Sequence, residues 1–301
     1  MGMAIRSTSQ HMGTKQIWSI AGNTQRLDGG AMFGNVPKAL WARWCTPDSE
    51  NRIELACRAM LIKESSGRLM LFEAGIGIFF PPKLRARFGV MSDEHKLLIG
   101  LKNAGFKPND VDVVVLSHLH FDHAGGLLTE YVENRPYELV FPNATYVVSQ
   151  DAWSRACQPH ARDRASFIPE LQPLLESTGR LDIVSGETSQ TLGADYRLHF
   201  SQGHTPGLML AEVPSDDGPV LFCGDLIPGV PWVHLPITMG YDRYPEMIID
   251  EKQQILAELL GRNGRLFFTH DPSVAIGRLS QDQKLRYGVT QTHNSLSGES
   301  L

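Results

Sequence analysis

Between Ser117 and Gly126 the chain reads Ser-His-Leu-His-Phe-Asp-His-Ala-Gly-Gly, which puts His118, His120, Asp122 and His123 within six residues. From this chain's own composition such a pattern arises by chance roughly once in a thousand sequences, so coincidence is set aside. Histidines packed for structure alone are a poor alternative, because each buried imidazole would need its own partners. Imidazole and carboxylate are the ligands that a borderline divalent cation such as zinc accepts. The cluster follows the uncharged run Val113–Leu116 and so begins where a strand ends. His118 and His120 alternate with period two and point the same way. Asp122 and His123 lie beyond, where Gly125 and Gly126 let the chain turn. One loop thereby offers two ligands to one ion and two to a neighbour. Three later segments each place a further candidate after a strand: His204 in Gly-His-Thr-Pro-Gly, Asp225 after Val220–Cys223, and His270 in Thr-His-Asp. Seven ligands suit two ions that share one carboxylate.

The elements that must hold these residues alternate along the chain. Leu55–Ile62 and Leu69–Phe72 read as strands around a Ser65-Ser66-Gly67 turn. Ser92 is placed to cap a helix carrying Leu97, Leu98 and Leu101, with Gly105 ending it. Val111–Leu116, Thr145–Ser149, Tyr196–Phe200, Leu208–Val213 and Val220–Cys223 read as strands. A helix near Asp250–Leu260 aligns Ile255, Leu256, Leu259 and Leu260 before Gly261, and Leu266–Phe268 is the last clear strand. This is a mixed α/β chain, read as one domain over residues 14–290 with flexible tails at 1–13 and 291–301. The Arg-rich stretch Gln158–Arg164 reads as a linker or as a surface loop.

Composition excludes several classes. The 301 residues carry 28 Lys+Arg against 33 Asp+Glu, a net charge of −5, where a nucleic-acid binder would show a basic excess. Cys45, Cys57, Cys157 and Cys223 form no CxxC pair, so neither a disulfide framework nor a thiolate zinc site is expected. They read as small buried hydrophobes in a reducing compartment. Met1–Ile20 has no apolar run long enough for a signal-peptide core, and Leu69–Phe80 is too short to cross a bilayer. The expectation is a soluble cytoplasmic protein with no membrane partner.

In order and type, His118-x-His120-x-Asp122-His123 followed by His204, Asp225 and His270 resembles the ligand set of the metallo-β-lactamase fold hydrolases, from Leu55 to His270. The resemblance implies an αββα sandwich, two mixed β-sheets flanked by helices, with the metals at one edge. It implies that His118, His120 and His204 hold one ion, that Asp122, His123 and His270 hold the other, and that Asp225 bridges. The stretch from Leu27 to Lys38, with Asn51-Arg52-Ile53 and Gly224-Asp225-Leu226-Ile227-Pro228, resembles the subgroup of quorum-quenching N-acyl homoserine lactone lactonases. Two departures stand out. Glu73-Ala74-Gly75 replaces a common Asp-x-Gly, and Pro228 occupies the place where one lactonase branch carries a tyrosine.

The implied function is a dinuclear hydrolase in which two divalent ions, about 3.5–4 Å apart, hold a bridging hydroxide that opens a lactone ring. Zinc comes first, with iron, cobalt or manganese also suited to the ligands. Asp122 would hand a proton to the departing alkoxide. The alternative is a phosphotriesterase or general esterase on the same scaffold. A diiron oxidoreductase is disfavoured, since those relatives usually have Glu at the place of His120, and a binding module is disfavoured because all seven ligands are kept. Glu73, at the end of an apolar strand, is expected to accept a hydrogen bond from a ligand imidazole or a backbone amide. With Pro228 unable to donate, His234 and Tyr241 are the candidates for substrate contact. Met32 and Phe33, on a glycine-rich arm, are expected to be exposed and to need cover from a second subunit in a homodimer, or over the site mouth.

Overall fold

The computed structural model describes residues 14–301. Its strands are β1 Gln16–Ile20, β2 Gln25–Asp28, β3 Arg52–Leu55, β4 Ala59–Lys63, β5 Leu69–Phe72, β6 Val113–Val115, β7 Thr145–Ser149 and β8 Leu181–Val184. The second half adds β9 Arg197–Ser201, β10 Leu208–Val213, β11 Val220–Phe222, β12 Arg265–Phe267, β13 Ile276–Gln281, β14 Tyr287–His293 and β15 Ser297–Ser300. One sheet runs β15-β1-β4-β5-β6-β7-β8, the other β14-β13-β12-β11-β10-β9, and β2 and β3 pair separately. Both large sheets are mixed: β5 to β8 are parallel neighbours in the first, and β11 and β12 in the second.

The central strands are buried on both faces, and side-chain alternation sorts their residues into three cores. Met60, Ile62, Met70, Phe72, Val113 and Val115 face Met209, Ala211, Val220, Phe222 and Phe267 between the sheets. The alternate residues Leu61, Leu71, Val114 and Val148 pack outward against helices through Leu97, Leu101, Leu171 and Leu175. On the far side, Leu210, Leu221 and Leu266 meet Ile248, Ile255, Leu256 and Leu259 of the helix Pro245–Leu260. Helix, sheet, sheet and helix stack in that order, an αββα sandwich.

Several boundaries differ from the sequence reading. The run Leu55–Ile62 is broken at Ala56–Arg58, so β3 and β4 lie in different sheets. The helix Lys96–Asn103 starts after His95 rather than after Ser92. The late helix begins at Pro245, whose fixed φ suits a first turn. The expectation of a flexible tail at 291–301 is corrected, as is that of a last strand at 266–268. β14 pairs with β13, and β15 pairs with β1, closing the first sheet with the chain's end. Ser-Gly-Glu-Ser looks like a tail because an edge strand is held by backbone hydrogen bonds and needs no apolar pattern. Leu296, buried between the sheets, anchors it. The other expected tail, 1–13, lies outside the described residues. Among the described residues no helix is long and apolar enough to cross a membrane.

Met32 and Phe33 also correct an expectation. They are 2% and 0% exposed, and Phe33 is stacked between Trp41 and Trp232 at 5.5 and 4.6 Å. The Gly-Gly-Ala-Met-Phe segment is a short helix, capped by Asp28, that turns these residues into the core rather than an arm. The reason for expecting a second subunit there is gone.

Candidate metal centre

The histidine segment follows the C-terminal end of β6, which lies between β5 and β7 in the first sheet. His120 precedes a single helical turn, Phe121–Ala124, which carries Asp122 and His123. Gly126 serves close approach rather than turning: a Cβ there would lie 2.0 Å from the carbonyl oxygen of Ala74. The amide of Ala74 in turn donates to the carbonyl of His123 at 2.9 Å. His204, Asp225 and His270 come from the ends of β9, β11 and β12 in the second sheet. Six of the seven candidate ligands therefore converge in two trios with ligand atoms within 4.8 Å of one another, His118, His120, His204 and Asp122, His123, His270, and the seventh, Asp225, reaches both.

Hydrogen bonds on the outer side of the rings fix which nitrogen is free. His270 Nδ1 donates to the carbonyl of Ala56 at 2.6 Å and His204 Nδ1 to Asp242 Oδ1 at 2.9 Å. His123 Nδ1 donates to Glu73 Oε2. The hydroxyl of Ser117 donates to Glu73 Oε1, so it accepts from His118 Nδ1 at 2.9 Å. Four Nε2 lone pairs are thus aimed inward. His123 and His270 present theirs to each other at 3.1 Å, and His204 Nε2 faces His120 Nδ1 at 3.4 Å. Asp225 divides its carboxylate between the trios: Oδ1 is 3.2 Å from His123 Nε2 and from His270 Nε2, and Oδ2 is 3.3 Å from His204 Nε2. Among the described residues, His118 Nε2 and Asp225 Oδ1 are buried without any hydrogen-bond partner. Buried acceptors facing acceptors are costly, and a cation between them removes the cost. The donor set fits divalent metal ions.

The electrostatics agree. Burial disfavours charge on His123, yet Glu73, Asp225 and Asp122 outweigh it and hold its proton affinity well above that of a free imidazole. His270 is raised likewise, against burial, by Asp225. His118 is pushed well below the usual range by burial and by neighbouring imidazoles, and His120 is pulled down to about 3 by burial and His204. Asp225, despite burial, is held far below the carboxylate range by His123, His270 and His204. Positive charge is drawn to His123 and His270, and His204 is raised as well, against burial, by Asp225 and Asp242, while His118 and His120 stay neutral.

Glu73 is fully buried, and its carboxylate reaches a histidine of each trio, directly at His123 and through Ser117 at His118. Three groups were not singled out from the sequence. Gln25, wholly buried at the start of β2, donates to Asp122 Oδ2 at 2.6 Å. Asp242 orients His204 while accepting from the amide of Met239 at 2.7 Å. Lys252, buried on the long helix, donates to the carbonyls of Trp232, His234 and Ile237 at 3.1, 3.3 and 2.7 Å, pinning the segment that leads to Asp242.

A cavity of about 420 Å³ opens over the centre, with His120, Asp122, His204, Asp225 and His270 in its floor and Leu27, Leu55, Phe88 and Met239 among its walls. Tyr241 lines it, 44% exposed. His234 does not. Its carbonyl is held by Lys252, and the structure does not bring this residue to the cavity. Pro228 contributes its carbonyl, which accepts the amide of His270 at 2.9 Å. The stretch 158–164 is a loop that brings Arg162 and Asp163 to the cavity, not a linker.

Comparison with known proteins agrees with this geometry. A family model described as the metallo-beta-lactamase superfamily matches residues 52–275. An N-acyl homoserine lactonase from Bacillus thuringiensis is 26% identical over 117 residues, 39% of this chain and 38% of the relative, so only about two fifths of that relative's length is matched. The structure of a probable metal-dependent hydrolase from Staphylococcus aureus, 27% identical, superposes with a TM-score of 0.82 over 94% of this chain and all of that one. AidC, a dizinc quorum-quenching lactonase seen with its product N-hexanoyl-L-homoserine, superposes with a TM-score of 0.71 at 21% identity, over 93% of this chain and 95% of that one.

Proposed function

The chain belongs to the metallo-beta-lactamase superfamily, and from that premise we propose that it is a dinuclear metal-dependent hydrolase that opens the ring of a lactone of the N-acyl homoserine type. The observation that carries the reading is the pair of trios with Asp225 shared between them at the floor of one cavity. His118, His120 and His204 would hold one ion, Asp122, His123 and His270 the other, and Asp225 both, with zinc first among the suitable metals. When bound, such ions polarise a carbonyl and bring water to nucleophilic strength near neutral pH.

The chain's own residues do the rest. The apolar walls Leu27, Leu55, Phe88 and Met239 take the acyl part and exclude water, and Tyr241 donates to the substrate's carbonyl or leaving oxygen. Water adds to the ring carbonyl and the ring C–O bond breaks. Asp122 takes up the proton released by the attacking water and passes it to the alkoxide. Gln25, donating to Oδ2, keeps that carboxylate from rotating away and leaves Oδ1 to carry the proton. The deciding experiment is a substrate panel on protein of known metal content. Turnover of N-acyl lactones at two ions per chain supports the reading; turnover of a phosphotriester and of no lactone would move the assignment to the alternative hydrolase class.

A further inference from the structure

We propose that the substrate is an anion: the end of it that does not react carries a carboxylate or a phosphate, which docks on Arg162 and Arg87. This rests on the hydrolase reading and narrows its substrate.

The protein is acidic overall, at −5, but the cavity wall away from the imidazoles is basic. Three guanidiniums, Arg87, Arg162 and Arg243, line it, and apart from Asp122 and Asp225 among the metal-site residues of the floor the one lining carboxylate is that of Asp163. That carboxylate is already shared. Its Oδ2 accepts from Arg155 Nε and Nη2 at 3.0 and 2.8 Å and from Arg243 Nη1 at 3.4 Å. Arg162 and Arg87 have no carboxylate within 4.0 Å among the described residues. Arg162 is nevertheless held in place, because its Nη2 donates to the carbonyls of Gly240 and Asp242 at 2.9 and 3.2 Å, on the wall that carries Tyr241. Its remaining N–H groups have no hydrogen-bond partner among the described residues. Arg87 ends the helix Pro82–Arg87 with its guanidinium 6.0 Å from the ring centre of Phe88. Both are exposed, so they mark the solvent end of the cavity.

From floor to mouth the cavity therefore runs from metal ligands through an apolar middle to uncompensated positive charge. A neutral acyl chain uses only the first two zones. A fixed guanidinium is the natural partner for a carboxylate or phosphate, which it meets with two parallel hydrogen bonds. Positive charge at the mouth of a cleft with apolar walls also raises the encounter rate of anions. The volume, about 420 Å³, suits a small molecule rather than a polymer.

The test compares matched substrates on the metal-loaded protein. One series is the hexanoyl homoserine lactone against the same lactone ending in a carboxylate, a phosphate or a trimethylammonium group. A parallel series is nitrophenyl hexanoate against the nitrophenyl monoester of adipic acid. The expected result is a kcat/KM for one anionic member about tenfold or more above the neutral one, carried by KM, with the cation worst and the gap closing as salt rises. The carboxylate and phosphate arms tell which anion fits. Arg162→Met and Arg87→Met, which keep the apolar stem, should each lower the anionic-to-neutral ratio by roughly fivefold or more. Equal rates for neutral and anionic members, or a preference that survives both substitutions together, would overturn the proposal. If the lactones are inert while the nitrophenyl pair shows the preference, the lactone reading fails and this one stands. If nothing is hydrolysed, calorimetric binding of the same pairs decides it.

Discussion

Replacing Glu73 by Gln keeps the side chain's size and removes one acceptor. In the native arrangement Oε1 accepts from the amide and hydroxyl of Ser117, and Oε2 accepts from His123 Nδ1. An amide in the same place can satisfy only one of these. With its oxygen toward Ser117, its NH₂ meets the N–H of His123, which must then move its proton to Nε2, the nitrogen aimed at His270 and Asp225. With the amide reversed, Ser117 loses its acceptor and its hold on His118 fails instead. Either mismatch is a buried donor against a donor, worth about 1–3 kcal/mol, or roughly 5- to 150-fold in an equilibrium constant. That range brackets the ~10- to 100-fold loss of metal affinity typical when a ligand histidine loses its outer partner. The assay is a competition titration against a chromophoric chelator, resolving the two binding steps, beside kcat/KM at saturating metal. Glu73→Gln should weaken at least one step by that factor, while Ser117→Ala should weaken the His118 trio alone. Two unchanged steps in a folded Glu73→Gln protein would refute the claim that this carboxylate organises the centre.

Asp225→Ala should lose both ions on dialysis, whereas His123→Ala should retain one; elemental analysis distinguishes the two. Gln25→Leu, which fills the same buried space without a donor, should lower kcat by about tenfold or more and weaken the Asp122 trio, with the His118 trio unchanged, read by the same titration. Lys252→Met leaves three carbonyls, two of them buried, without their donor and should cost about 3 kcal/mol, seen as a lower midpoint in urea. Burial opposes ionisation of Glu212, but His199 and Arg262 prevail and bring it from its ordinary 4.5 down to about 2. The unfolded chain therefore binds this proton more readily than the folded one. The associated stability is complete above about pH 4.5 and is lost as pH falls toward 2, and Glu212→Gln should flatten that part of the acid-denaturation curve.

The cluster of candidate ligands was legible because coordination chemistry is concentrated in one short segment and then repeated after strands, where period-two runs stop. The sandwich came from resemblance rather than from the strand pattern. Glu73 stood out as a charge closing an apolar strand. Gln25 and Asp242 did not, because a lone polar residue acquires its meaning only from a partner 97 or 38 residues away. For the same reason, the composition of 232–244 suggested a pocket wall but not which side chains face inward. Tyr241 does, and His234, beyond the tight turn Val230–Val233, does not. Met32 and Phe33 misled because their glycine neighbours suggest an arm, while the aromatic slot that receives Phe33 is built from Trp41 and Trp232.

Each trio draws its members from both sheets: His118, His120, Asp122 and His123 follow β6, while His204 and His270 follow β9 and β12. An ion bound in either trio is therefore also a rivet between the two halves of the sandwich. Its binding energy enters the folding equilibrium directly, because the unfolded chain does not bring these residues together. At a hundredfold excess of free ion over its Kd, one such rivet adds about 2.7 kcal/mol. Resistance to heat and proteolysis should then rise with the free metal level, and metal starvation should loosen the seam between the sheets along which these residues lie.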